Sequence, residues 1–167
     1  GPTLGLLNSK LGYGVTGGMI FKQDAKAPIG FGFDTGFVRW NESASLGSLS
    51  GTDSSGNTIS TGNISVSATL TTIPVLATVV FYPMGSAATE NTGTTITPYL
   101  GLGLGISITS VSATITYGNQ SASDGTSFVY FMALVKPGIE LGSFFVEPKF
   151  GVLKDEFIFL PTVGYSF

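Results

Sequence analysis

The residues able to do chemistry in this chain are few. Histidine and cysteine are both absent, which removes the commonest general base, the thiolate nucleophile and most transition-metal ligands. What remains is 7 Lys and Arg against 10 Asp and Glu, among many hydroxyls. Catalysis needs a nucleophile, a base or a metal in convergent geometry. A Ser-Lys or carboxylate pair would satisfy that requirement, but no spacing marks one, so no enzyme is expected. Asp24, Asp53, Asp124 and Asp155 are scattered through polar segments without the spacing of a calcium loop. No metal or other cofactor is expected. The GLGLG run at 101–105 lacks the spacing of a dinucleotide loop, and no helical pattern follows it. Asn63-Ile-Ser and Asn119-Gln-Ser match glycosylation acceptors by coincidence of form. A net charge of −3 gives no footprint for nucleic acid.

Three charges stand out by their neighbours instead. Asp34, Glu147 and Lys149 each occupy the small-residue side of an alternating segment whose other side is large and apolar. The pattern places them inside a closed structure, where opposite charges can pair. Lys136 and Glu140 share a parity on their own segment. The alternative for Lys136, Glu140, Glu147 and Lys149 is a position near a turn, in water.

The segments that would position these groups alternate with period two, the mark of strands. Residues 11–21 set Leu11, Tyr13, Val15, Met19 and Phe21 against Gly12, Gly14, Thr16 and Gly18. Residues 29–40, 64–82, 99–117, 128–141, 144–153 and 157–167 follow, with 128–141 interrupted by Pro137. Leu100, Leu102, Leu104, Ile106 and Ile108 form one apolar stripe opposite Gly101, Gly103 and Gly105. Phe157 and Phe159 continue such a stripe on the last segment. That makes seven strands, and closed bacterial barrels have an even number. Residues 3–7 supply an eighth, short against the roughly 9–11 residues that span a bilayer. Residues 41–63 read as a long mobile loop with strands extending into its base, and 118–127 as a polar loop. Trp40 and Tyr82, at strand ends, suit an aromatic girdle, with ordinary packing as the alternative.

Composition decides between inside-out and ordinary packing. Charged residues make up 10% of the chain and mean hydropathy is +0.39, where soluble domains carry about 25% charge. No run approaches the roughly 18 apolar residues of a spanning helix. A soluble sandwich, the alternative fold, would show charge on the face opposite its apolar residues; here that face is glycine. Lipid admits only helices and closed barrels, because hydrocarbon offers backbone groups no partner. The expected fold is therefore all-β, a single antiparallel transmembrane β-barrel of eight strands over 1–167. The stripe from Leu100 to Ile108, with Phe157 and Phe159, faces lipid. Gly1-Pro2 has the form of a protease scar from expression.

Three stretches carry a family resemblance. They are LGYGVTGGMIF with IGFGFDTGFVRW, the hairpin IPVLATVVFYP followed by TPYLGLGLG, and the terminal PTVGYSF. Together they resemble the small outer-membrane barrels of the OmpA, OmpX and OmpW type, over nearly the whole chain. The resemblance implies a bacterial outer-membrane location. It also implies a C-terminal signal, Tyr165 and Phe167, read by the barrel-assembly machinery; Pro161 departs from that pattern. It implies further that 41–63, 118–127 and 154–156 face outward and that 22–28, 83–98 and 142–143 face the periplasm. Outer-membrane barrel enzymes of the phospholipase, protease, palmitoyltransferase and deacylase types rely on histidine, which this chain lacks.

Three functions fit this reading. One is a structural or lipid-interacting barrel with a filled, narrow interior. The second is porin-like transport of small or apolar molecules. The third is surface recognition or adhesion through 41–63. Membrane lipid is the expected partner. Apolar residues on both faces of 73–82 are compatible with a homo-oligomer.

Overall fold

A computed structural model describes residues 1–7, 10–22, 27–52, 54–56, 58–83 and 96–165. Eight strands follow in chain order: β1 (Pro2–Leu7), β2 (Lys10–Lys22), β3 (Ile29–Thr52), β4 (Thr58–Phe81), β5 (Ile96–Tyr117), β6 (Gln120–Leu141), β7 (Phe144–Leu153) and β8 (Glu156–Tyr165). Each pairs antiparallel with its sequence neighbour, and β1 closes on β8 through Thr3↔Thr162, Leu6↔Phe159 and Leu7↔Ile158. The short N-terminal segment is thus the eighth stave.

The β5–β6 and β6–β7 connections are as tight as the turn chemistry permits. Gly118 and Gly142 open two-residue turns with φ of 56° and 62°, a left-handed conformation in which a side chain would be strained. Two expected loops are corrected here. Residues 41–63 are mostly strand, since β3 and β4 continue as a paired ladder to Thr52↔Thr58. Residues 118–127 contain only the turn Gly118-Asn119, and β6 begins at Gln120. Ser, Thr and Gly look like loop residues singly, but here they alternate on a ladder whose backbone bonds are made. The expected turn over 83–98 lies largely outside the described residues.

Pro137 does not end its strand. It stays opposite Leu100 on β5, while pairing with β7 lapses between Val135↔Phe150 and Ile139↔Val146. Proline has no N–H to give the ladder, and Pro137 and Pro148 face each other across that lapse.

Inward side chains fill the barrel. Val38, Trp40, Leu76, Met132, Leu134, Leu153, Ile158 and Leu160 form one buried cluster. This explains the two apolar faces of 73–82, since Leu76 and Val80 fill the interior while Val75 and Val79 lie outside. Trp40 is not a girdle residue: it is 4% exposed, and its Nε1 donates to the Gly5 carbonyl at 3.3 Å. The indole lies where Gly12 has no side chain, and a Cβ there would meet the ring at 2.5 Å. Gly12→Val should therefore overpack the core, at about 1–3 kcal/mol. We expect a lower unfolding midpoint and red-shifted Trp40 emission, whereas Gly17→Val, with nothing within 4 Å of its Cβ position, should leave both unchanged.

Candidate functional site

Two features are built on this frame, one inside the barrel and one beyond it. Inside, the six strands β2 to β7 bring polar groups far apart in sequence to one layer. Lys136 is the hub. It is 2% exposed; its Nζ donates to Asp34, and Glu147 lies 4.0 Å away. Lys149 Nζ lies 3.2 Å from Glu147 Oε1 and donates to Thr16 Oγ1 at 3.2 Å. Tyr99 donates its hydroxyl to Glu147 at 2.9 Å, and Tyr82 donates to Glu140 at 3.2 Å. Thr78 donates to Asp34 as well. Gly101 makes room for the Lys136 stem, since a Cβ there would lie 2.7 Å from its Cε.

Asp34, Glu147 and Lys149 thus point into the barrel and meet. The sequence did not single out Lys136 as the group that joins them. Its parity was the available signal, but its partner Asp34 is 102 residues away along the chain. Lys136, Glu147 and Lys149 are buried, which corrects the solvated alternative. Tyr82 is also corrected, being 2% exposed in the interior beside Tyr99 rather than on the outer wall. Among the described residues no buried side-chain nitrogen or oxygen lacks a partner.

A cavity of about 650 Å³ lies next to this layer, toward the end of the barrel where β2 meets β3. Tyr82, Tyr99, Lys136, Glu140, Glu147 and Lys149 line it. The apolar cluster around Trp40, Met132 and Leu153 occupies the opposite half of the interior.

The outer wall is apolar. Leu100, Leu102, Leu104, Ile106, Ile108 and Phe157 all expose their side chains there, Leu104 to 58%. Phe159 shares that side but is half-buried, its ring 4.9 Å from that of Phe150. Tyr165 is exposed on the wall, stacked edge-on with Phe144; Phe167 lies outside the described residues. The stripes Ile29 to Phe37, Ile73 to Phe81, Leu100 to Ile108 and Phe131 to Ile139 stand side by side. Each is about nine residues long, a spanning length.

Beyond this belt the alternation changes phase. On β5 the outward positions run on from Ile108 as Ser110, Ser112, Thr114 and Thr116. The inward positions run on from Thr109 as Val111, Ala113, Ile115 and Tyr117. On β4 the outward run becomes Thr71, Thr69, Ser67 and Ser65, and the inward run Leu70, Ala68, Val66 and Ile64. The β4–β5 register is unbroken from Phe81↔Leu100 to Ile64↔Tyr117. The inversion is therefore written in the residues, with no bulge to turn the strands over.

The phase change begins where the other four strands stop. The β2–β3 pairing ends at Gly12↔Trp40, and the β6–β7 pairing ends at Met132↔Leu153. From there β3, β4, β5 and β6 continue alone as a four-stranded sheet. Residues 41–52 of β3 and 120–131 of β6 are its two edges.

This is an inside-out barrel, with aliphatic side chains outward and charges inward, carrying a sheet on one end. Among solved structures it is similar to Ail, the attachment invasion locus protein of Yersinia pestis, in complex with the heparin analogue sucrose octasulfate. That match has 14% sequence identity and a TM-score of 0.46, covering 98% of this chain and 91% of that one. A second Ail crystal structure matches at 14% identity and a TM-score of 0.45, with the same coverage. No family model matches the chain, and no curated protein matches it.

The interior layer predicts a specific mutational pattern. Removing one member of a buried ion network strands its partners, typically at about 3–5 kcal/mol. Lys136→Met should lower the free energy of unfolding by that amount, read as a fall in the urea midpoint, because Asp34 and Glu147 lose their shared cation. Adding Asp34→Asn to Lys136→Met should recover part of the loss. Equal stability of Lys136→Met and the parent would place the network in water.

Proposed function

We propose that this chain spans a bacterial outer membrane as a closed, filled barrel and displays its four-stranded sheet as a recognition surface. The observation that carries the first half is the belt of exposed Leu, Ile, Val and Phe on every side of the wall. In water such a surface would aggregate, whereas monomeric soluble proteins rarely expose apolar patches beyond about 600 Å². Hydrocarbon covers it at no cost, and the closed ladder pairs the backbone around the belt, with a lapse at Pro137 and Pro148.

The phase change supports the position of one membrane boundary. Outward residues are apolar up to Ile73 on β4 and Ile108 on β5, and hydroxyl-bearing beyond them. The turn Gly142-Ser143 lies at the other end. In outer-membrane barrels the long extensions beyond the wall face out, and here the β3–β4 and β5–β6 hairpins are the ones that run far past the apolar belt, which supports outward display of the sheet.

A filled interior supports an anchor rather than a pore. An eight-stranded barrel is just wide enough for its own side chains. The apolar cluster with Trp40, Met132 and Leu153 seals one half, and the Lys136 network crosses the other. A porin-like role needs a continuous polar path past both. The barrel-assembly machinery as reader of Tyr165 and Phe167 remains part of the proposal.

Two measurements test it. Leu104 and Ser112 lie on the same side of β5, on opposite sides of the phase change. Leu104→Lys should cost about 2–4 kcal/mol in a lipid bilayer and cut the yield of inserted, heat-modifiable protein. Ser112→Lys should change it by less than about 0.5 kcal/mol. Similar losses for both would refute the boundary. Planar-bilayer recordings of the single barrel should show no steady conductance, and large stable openings would exclude the sealed interior.

A further inference from the structure

The cavity beside the buried ion network carries a charge that the network does not use. Within the network the charges balance, Asp34 and Glu147 against Lys136 and Lys149. Glu140 lines the same cavity and adds a further carboxylate. Among the described residues no ion pair reaches it, and its hydrogen bond comes from the Tyr82 hydroxyl at 3.2 Å. The Gly1 amine also lines the cavity, but it donates to the Thr16 carbonyl on β2, the stave opposite β6 in the closed order.

The wall around Glu140 is aromatic. The rings of Tyr82 and Tyr99 stand 5.7 Å apart at 42°, and Phe145 is the cross-strand partner of Glu140 on β7. All three line the cavity. Glycines seat two of the rings: a Cβ at Gly138 would collide with Tyr99, and one at Gly164 with Phe145. Both phenol hydroxyls are committed to carboxylates, Tyr99 to Glu147 at 2.9 Å and Tyr82 to Glu140. These bonds hold the rings in place and push electron density into them.

Charge and shape restrict what such a place can hold. A half-buried carboxylate facing a cavity is stabilised by a cation. Calcium needs about 6–8 oxygen ligands, and among the described residues no group of three or more acidic side chains could hold a metal ion. Aromatic faces instead attract weakly hydrated cations, alkylammonium groups above all. The cavity volume of about 650 Å³ falls within the roughly 300–1,000 Å³ of small-molecule sites. Its floor is the Lys136 network, with the Trp40 cluster beyond. The cavity is therefore a blind pocket, in which a solute binds without passing through.

We propose that this pocket binds a small, free alkylammonium solute, its nitrogen toward Glu140 and its methyl or methylene groups against Tyr82, Tyr99 and Phe145. Glu140 supplies the charge. The rings supply contact that a hydrated inorganic ion cannot use. The projecting sheet plays no part, so the inference goes beyond the recognition role and does not depend on it.

The test is calorimetric titration of the intact protein in a non-ionic maltoside detergent. The probes are choline, the neutral alcohol in which carbon replaces the choline nitrogen, and ammonium chloride. Choline should bind saturably, about tenfold more tightly than either of the others. Glu140→Gln should weaken choline binding about tenfold and leave that of the neutral alcohol unchanged. Phe145→Leu should also weaken choline binding, whereas Glu156→Gln, at the β7–β8 turn, should not. Heat-dependent gel migration shows that each variant has folded.

No saturable choline binding, or equal affinity for the neutral alcohol or for ammonium, would overturn the proposal. So would unchanged choline affinity in Glu140→Gln, or in Phe145→Leu should the first variant fail to fold. The same titration in nanodiscs of phosphatidylcholine and of phosphatidylglycerol separates a free solute from a lipid headgroup. Equal affinity in both supports the free solute. Loss of choline binding in the phosphatidylcholine discs alone overturns it in favour of the headgroup.

Discussion

A strand in hydrocarbon has nowhere to send its N–H and C=O groups except to another strand. That single constraint shapes this molecule. It forces closure of β1 on β8, although β1 is only 6 residues long. It also explains where the open edges are. β3 loses its outer neighbour only past Trp40, beyond the apolar belt, where water can satisfy the free edge groups. β6 loses its neighbour past Met132, at the margin of the belt, with Phe131 and Val129 still outward opposite Ile106 and Ile108. The lapse at Pro137 and Pro148 lies within the belt, and the missing pairing is the smallest that two facing prolines permit.

Closure then sets what each side chain meets. Period-two alternation delivers one face to lipid and one to the lumen, so the wall is apolar and the interior holds whatever lipid rejects. Glycine on the inner face is what lets large groups fit there. Gly12 accommodates the Trp40 ring, Gly101 the Lys136 stem, and Gly138 the Tyr99 ring. The charges can be buried because each has an opposite charge or a hydroxyl within reach. Beyond the belt the solvent changes from lipid to water, and the same strands invert their pattern to match.

Much of this was legible in the residues. The stripe from Leu100 to Ile108 against Gly101, Gly103 and Gly105 states both the strand and which side is which. Asp34, Glu147 and Lys149 were placed inside by parity alone. The hub Lys136 was not recognised as such, because its meeting with Asp34 depends on the register of intervening strands around the barrel. Trp40 and Tyr82 were left between a girdle and ordinary packing for a related reason. An aromatic at a strand end suits a girdle or a lumen plug, and only parity against the settled register separates them. Only the margins of the projecting sheet, within 41–63 and 118–127, read as loops, since Ser, Thr, Gly and Asn signal turns when taken one by one. The alternation of Ser65, Ser67 and Thr69 against Val66 and Ala68 was visible. Its continuation through 41–52 and 120–127 depends on partners that the sequence does not name.

An open four-stranded sheet outside a membrane invites pairing with other chains, and this one carries the usual deterrents unevenly. The β3 edge has two register shifts, between Ser45 and Gly47 and between Ser48 and Ser50, and Gly47 adopts a φ of 76°. Bulges twist an edge away from regular pairing. The β6 edge pairs with β5 without a break from Gln120 to Leu141, so its protection is chemical: Asp124 sits on it, amid Ser and Gly. Neither device touches the apolar face between the edges. Protecting the edges while leaving the face exposed is the arrangement expected if contact is to be made across the sheet rather than along its rim.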